Sequence, residues 1–253
     1  MMQGTYYKEW SRMLGREMEF KVYGTAGVPV LALPARGGRF YDWENNGMPE
    51  AVASLLSSGK VQLFTADGID AESLLAGDAA PRRRAEMQEK YFNYLSTELA
   101  ARIRELNQTE KGQLIWCVGV DTGACQAVNC RLRRPEVFGG AIGLYDMSRF
   151  LGSAEDDLML RNAPLAYLTE TGLVDKKAFA KAEENDLILC AGQGSYEEEA
   201  QADTRALSEA LTAAGLPAHC EFWGSDVSHD WYWWGKELHL FAERIFGEGG
   251  NHA

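Results

Sequence analysis

The chain has 253 residues, a length that fits one sizeable α/β domain with a continuous core. Its composition is that of a globular protein, with 46% apolar and 25% charged residues, which argues against disorder or a fibrous structure. The 37 acidic residues outnumber the 25 lysines and arginines, giving a net charge of -12. Because no stretch concentrates basic residues, the sequence argues against nucleic acid as a partner.

The compartment and the ligand class follow from what the chain lacks. Charged residues interrupt the first 20 residues, so no secretion signal is expected, and no run of about 18 apolar residues could span a membrane. The five cysteines form no CxxC pair, which suits a reducing compartment. No metal-ligand spacing or dinucleotide motif is present. We therefore expect a cytoplasmic protein without cofactor or membrane contact that acts on a small-molecule substrate or ligand, with homo-oligomerisation left open.

Strand-like and helix-like segments alternate along the chain. Residues 6–23 alternate apolar and polar residues around a central glycine, which predicts an antiparallel edge hairpin. The further predicted strands are 28–33, 61–65, 114–120, 138–143, 186–191 and 218–223, and the predicted helices are 47–56, 81–106, 123–133, 198–214 and 235–245. Such alternation predicts an α/β fold with a mostly parallel sheet and helices on both faces. The irregular stretch 144–184 is expected to hold an insertion that helps to cap a site.

A tight turn with two glycines follows the predicted strand 114–120. Gly119 and Gly123 stand two positions on either side of Asp121, directly before a predicted helix. Such glycines allow a strained turn that raises the central side chain over the sheet edge, close to the free amides of the helix N-terminus. Because sites in parallel sheets lie at the carboxyl ends of the strands, we predict that Asp121 belongs to the functional site.

An acidic loop and a histidine loop follow later in the chain. Glu197 and Glu198 come after the predicted strand 186–191, and His229 follows the last predicted strand. A nucleophile, an acid and a histidine in this order are typical of an α/β-hydrolase site, in which the histidine is the base and the acid orients it. The glutamates can equally begin a helix, where they favour its dipole, and the histidine can be an ordinary loop residue.

With these residues, the chain resembles the "Putative esterase" family of α/β hydrolases, the group that includes esterase D and the mycolyltransferase antigens. The other segments that carry the resemblance are 38–41, 70–73, 162–164 before 167–168, 192–194 and 227–234. The most specific of them is Val-Ser-His-Asp-Trp-Tyr-Trp-Trp at 227–234. The resemblance covers nearly the whole length and implies a single α/β-hydrolase domain over residues 1–253.

The resemblance also implies roles for individual residues. The family hydrolyses esters through a serine nucleophile, a histidine base and an acid. By the matching motifs, His229 would be the base and Glu197, or else Glu198, the acid that orients it. The oxyanion hole would use the backbone amides of Thr122 and of a residue near Gly38.

The chain departs from the family pattern at the site itself. Asp121 stands where the family has its serine, Cys125 and Gln126 replace small or aromatic residues, and the expected Ser-Gly before Tyr145-Asp146 is missing. A carboxylate has no proton for a base to remove at neutral pH, and its attack on an ester would give a more reactive mixed anhydride. We therefore expect ordinary ester turnover to be impaired.

Four functions remain open at this stage, of which a structural assembly protein is suggested only by the many aromatic residues. The first is an esterase-family hydrolase of a small ester-type substrate, with turnover in doubt. The second is a non-catalytic binding or regulatory pseudoenzyme. The third is an aspartate-nucleophile hydrolase of a halide or epoxide, because Gly-x-Asp-x-Gly is also the turn of haloalkane dehalogenases and epoxide hydrolases, and carboxylates do attack sp3 carbon.

Overall fold

The computed structural model of the protein describes residues 2–108, 113–144, 157–170, 174, 176–179, 183, 186–195 and 197–248. Its centre is an eight-stranded sheet in the order β1-β2-β4-β3-β5-β6-β7-β8. The strands are β1 (Thr5–Ser11), β2 (Arg16–Tyr23), β3 (Val28–Leu33), β4 (Val61–Ala66), β5 (Ile115–Val120), β6 (Phe138–Leu144), β7 (Leu187–Ala191) and β8 (His219–Phe222). β2 pairs antiparallel with β1 and β4, and all other pairs are parallel. The predicted mostly parallel sheet with an N-terminal hairpin is confirmed.

Helices pack on both faces of this sheet. They are α1 (Asp42–Asn45), α2 (Met48–Ala51), α3 (Ala53–Ser57), α4 (Pro81–Asn93), α5 (Ala100–Asn107), α6 (Thr122–Arg133), α7 (Asp157–Leu160), α8 (Pro164–Glu170), α9 (Glu198–Ala214) and α10 (Trp231–Phe246). Short 3-10 turns add Asp70–Glu72 and Lys176–Phe179. One buried cluster joins the sheet to α4, α5, α6 and α9, and a second joins the opposite face to α1, α2, α3 and α10.

The central strands are buried on both faces, which explains their nearly continuous apolar sequences. In β3, Leu31 and Leu33 belong to the first cluster, whereas Val30 and Ala32 belong to the second. Successive side chains of a strand point to opposite faces, so each strand contributes to both cores. Among the described residues, no helix has both the length and the apolar character needed to cross a membrane.

Three helical segments differ in detail from the sequence prediction. Residues 47–56 form two short helices, not one, with α2 preceded by Gly47 in the left-handed region at φ 73. The long predicted helix 81–106 is interrupted between α4 and α5 by a π-helical stretch, Tyr94–Leu99. α10 begins one turn before the predicted residue 235, because the Asp230 carboxylate accepts hydrogen bonds from the N–H groups of Tyr232 and Trp233.

Part of the irregular stretch 144–184 packs against α4 and α6. Asn162, between α7 and α8, is fully buried. Its carboxamide oxygen accepts hydrogen bonds from Asn129 (3.1 Å) and Arg133 (3.2 Å), and its nitrogen donates to Glu89 (2.9 Å). This network ties the segment to α4 and α6. Residues 145–156, which include the departure from the family pattern at 145–146, lie outside the described residues.

Candidate active site

Asp121 occupies a strained turn between β5 and α6, which we call the Asp121 turn (residues 119–123). Its backbone has φ 54 and ψ -127, a positive φ that is uncommon outside glycine. A Cβ atom on Gly119 would overlap the backbone of Gly123, and one on Gly123 would overlap the carbonyl oxygen of Pro34. Only glycine fits at these two positions, so the close backbone approach holds residue 121 at the carboxyl end of the sheet.

The loop after β3, here called the 35–40 loop, contacts the Asp121 turn through its backbone. The N–H of Arg36 donates to Oδ2 of Asp121 at 3.0 Å, and the N–H of Gly37 donates to Oδ2 of Asp70 at 2.8 Å. The N–H of Gly38 donates to the carbonyl oxygen three residues earlier, within the turn of the loop itself. The amide that meets residue 121 is therefore that of Arg36.

Thr122 lies on the other side of the Asp121 turn. It is the first residue of α6, so its N–H belongs to the amides that have no partner within the helix. The side chain is buried, and its Oγ1 has no hydrogen-bond partner among the described residues. The amide of Thr122 directly follows Asp121 in the chain, whereas that of Arg36 reaches the Asp121 carboxylate from the 35–40 loop.

His229 lies half-buried in the loop between β8 and α10. Burial lowers the pKa of its imidazole, whereas the charges of Asp121 and Asp230 raise it. The ring stands edge-on to Trp234, with centroids 4.7 Å apart and an interplanar angle of 87°. The net pKa of the imidazole therefore lies below its ordinary value, and the charge of Asp121 is one of the two that oppose this shift.

The two candidate acids have different environments at the start of α9. Glu197 is 1% exposed, and its Oε2 has no hydrogen-bond partner within the described part of the chain. Burial raises its pKa to about 7, with further contributions from the charges of Asp230 and Glu198. Glu198 is exposed on the first turn of α9. The loop of Glu197 is attached to the histidine loop, since the N–H of Gly194 donates to the carbonyl oxygen of Val227 at 2.8 Å.

Two buried carboxyl groups near the site were not identified from the sequence. Burial raises the pKa of Asp70, and the negative charge of Asp121 adds to that effect. Burial also raises the pKa of Glu237 to about 8, and its Oε1 lies 3.5 Å from the thiol of Cys190. Glu237 interrupts the apolar stripe of α10 that includes Trp234. An acidic residue on such a stripe is the sequence signal that could have identified it. No group of three or more potential metal ligands occurs in the described ranges.

Comparison with known proteins places this geometry in context. Residues 11–243 match the family model described as "Putative esterase". No curated protein matches the chain by sequence.

Solved structures resemble the chain over nearly its full length. S-formylglutathione hydrolase from Agrobacterium tumefaciens is 15% identical, with 94% of both chains covered and a TM-score of 0.70. MPT51 (FbpC1) of Mycobacterium tuberculosis is 15% identical, with 97% of this chain and 99% of that one covered and a TM-score of 0.70. A CE1 ferulic acid esterase from Anaeromyces mucronatus is 13% identical, with 97% and 91% covered and a TM-score of 0.64. At these identities, the likeness shows the fold.

Proposed function

This chain belongs to the "Putative esterase" family of α/β hydrolases, as the resemblance in its sequence predicted, and we propose that its site binds a small ester-type substrate with Asp121 in the place of the serine nucleophile. The observation that carries the proposal is the hydrogen bond from the Arg36 N–H to Oδ2 of Asp121, the carboxylate whose charge raises the pKa of His229. It supports a nucleophile-turn role for residues 119–123 and an oxyanion-hole role for the Arg36 and Thr122 amides.

In this arrangement, Asp121 impairs serine-type acyl transfer in two ways. A serine becomes a nucleophile when the histidine removes its proton, and the ionised carboxylate has no such proton. The developing oxyanion must also be stabilised by preorganised donors, and the Arg36 N–H already donates to Asp121. We therefore propose that the native protein binds the ester-type molecule and hydrolyses it slowly or not at all, as a binding or regulatory member of its family.

Glu197 is the acid that we assign to His229. It is buried, whereas Glu198 is exposed, and its loop is hydrogen-bonded to the histidine loop. In this role its carboxylate would fix the orientation of the imidazole and stabilise the imidazolium that forms during catalysis. Its pKa of about 7 means that Glu197 is only partly ionised at neutral pH, which further limits turnover.

Asp121→Ser tests the proposal directly. The variant restores a hydroxyl that His229 can deprotonate and frees the Arg36 amide, so we expect it to gain hydrolysis of p-nitrophenyl acetate by at least about 100-fold over the native chain. The double variant Asp121→Ser/His229→Ala is the matched control and should lose that gain. Native turnover that His229→Ala abolishes, or no gain in the serine variant, would contradict the proposal.

A second candidate is hydrolysis at an sp3 carbon, which the fixed orientation of Asp121 favours. The carboxylate oxygen would attack carbon, the carbon–halogen or epoxide carbon–oxygen bond would break, and water deprotonated by neutral His229 would hydrolyse the enzyme ester. A panel of haloalkanes and epoxides tests it. Turnover by the native chain that Asp121→Asn removes would favour this candidate over the first.

We further propose that the protein is cytoplasmic. All five cysteines are free thiols in the structure, and four of them are buried. Free thiols persist in a reducing compartment. Fractionation of the producing cells, followed by detection of the native protein in the soluble fraction, tests this placement.

A further inference from the structure

Three aspartates that follow β4 and β5 accept hydrogen bonds from backbone N–H groups of the 35–40 loop. The loop forms no strand or helix before α1, so its shape depends on such contacts. The aspartates are Asp121 after β5, and Asp70 and Asp67 after β4. The bonds run from the N–H of Arg36 to Asp121, from that of Gly37 to Asp70 and from that of Phe40 to Asp67.

Asp70 lies outside the Asp121 turn and contacts the 35–40 loop from another segment. It begins the 3-10 turn Asp70–Glu72, is 5% exposed, and accepts the Gly37 N–H at 2.8 Å. A hydrogen bond from the side chain of Gln126, on α6, lowers its pKa against the larger effect of burial. Asp70 thereby connects the first turns of α6, the helix that follows the Asp121 turn, to the loop on the other side of the site.

The bond to Asp70 is adjacent to the bond that meets residue 121. Gly37 has φ 69, in the left-handed region, and successive N–H groups in such a turn form an anion-binding concavity. Arg36 and Gly37 supply two successive donors, so the direction of the first depends on the anchoring of the second. Gly38 cannot take over that function, because its own N–H is bonded within the loop.

We propose that Asp70 is a positioning residue that anchors the Gly37 amide and thereby directs the Arg36 amide at residue 121. It orients the donor for the carboxylate in the native chain and for an oxyanion when residue 121 is serine. Only the role toward the oxyanion rests on the proposed function. The anchoring of the Gly37 and Arg36 amides can be measured without turnover.

Amide hydrogen exchange in the native chain tests the anchoring. A buried hydrogen bond to a carboxylate is among the strong ones, so Asp70→Ala should speed exchange at both Arg36 and Gly37 by at least about tenfold. Asp70→Asn keeps an acceptor and should fall between Asp70→Ala and the native chain. Ser73→Ala is the matched control, since Ser73 is buried in the same segment and its hydroxyl donates to the carbonyl oxygen of Ile69. Unchanged exchange at Arg36 in Asp70→Ala would overturn the proposal.

If Asp70→Ala does not fold, Asp70→Asn decides by itself. A neutral acceptor forms a hydrogen bond about half as strong as a carboxylate does, so exchange at Arg36 and Gly37 must still increase measurably while the melting temperature stays close to that of Ser73→Ala. Exchange identical to that of the native chain in this variant would overturn the proposal.

Turnover distinguishes a positioning role from a purely structural one. In the Asp121→Ser background, Asp70→Ala should lower kcat for p-nitrophenyl acetate by about 100-fold with KM nearly unchanged, because oxyanion donors act in the transition state. Asp70→Asn should retain more of the kcat than Asp70→Ala. A change confined to KM would overturn the positioning role. If Asp121→Ser has no activity, the proposed function fails, whereas the exchange experiment still decides the role of Asp70.

Discussion

The buried carboxyl group of Glu237 should make the stability of the protein fall as pH rises. Its pKa is about 8 in the folded state against an ordinary value of 4.5, because burial and the charges of Glu197, Asp230 and Glu221 disfavour its ionised form. Between these two values the folded protein holds a proton that the unfolded chain releases. Stability therefore decreases by up to about 1.4 kcal/mol per pH unit within this window, and the whole penalty above it is at most about 5 kcal/mol.

Glu237→Gln should remove this penalty, because the carboxamide stays neutral at every pH. The quantity to follow is the free energy of unfolding of the variant minus that of the native chain. This difference should be near or below zero at about pH 5, rise steadily, and level off above about pH 8. Urea unfolding followed by tryptophan fluorescence measures this difference across the pH range. Glu209→Gln, on the exposed face of α9, controls for the loss of a surface charge. A difference that stays constant across the window would refute the argument.

Three further predictions concern the site and its supports. Asp230→Ala removes the cap of α10 and should lower stability by about 1–2 kcal/mol in urea unfolding. Gly123→Ala should lose more than about 4 kcal/mol or fail to fold, whereas Gly77→Ala, where a Cβ meets nothing within 4 Å, should unfold at nearly the native urea concentration. Asp121→Asn should lower the imidazole pKa of His229 further in an NMR titration, since the Asp121 charge raises it; an upward shift would contradict the assigned proximity.

The sheet could be predicted because its signals are local. Apolar runs such as 28–33 mark strands that are buried on both faces, and the alternation of strands with helices limits the topology to a mostly parallel sheet. The start of α10 was predicted one turn late, since Asp230 was treated as part of the histidine loop, whereas its carboxylate caps the helix. A capping residue and a loop residue look alike until the helix that follows is known.

The contacts around Asp121 could be predicted only in part. The spacing of Gly119 and Gly123 indicated the turn, because the whole turn lies within five consecutive residues and its signal is local. The bond between Arg36 and Asp121 joins residues 85 positions apart, and no periodicity marks it. Asp70 was quoted only as part of a family-like segment, since nothing in the sequence shows that its carboxylate reaches the N–H of Gly37.

The strain at residue 121 follows from its surroundings rather than from its side chain. Gly119 and Gly123 let two backbone segments approach so closely that neither position accepts a Cβ atom, and this approach imposes the positive φ on the residue between them. Both glycines remain in the variant Asp121→Ser, so this cause of the strain stays in place. The turn therefore keeps its shape while its chemistry changes. For this reason a single substitution, Asp121→Ser, should be enough to show whether the rest of the site still supports acyl transfer.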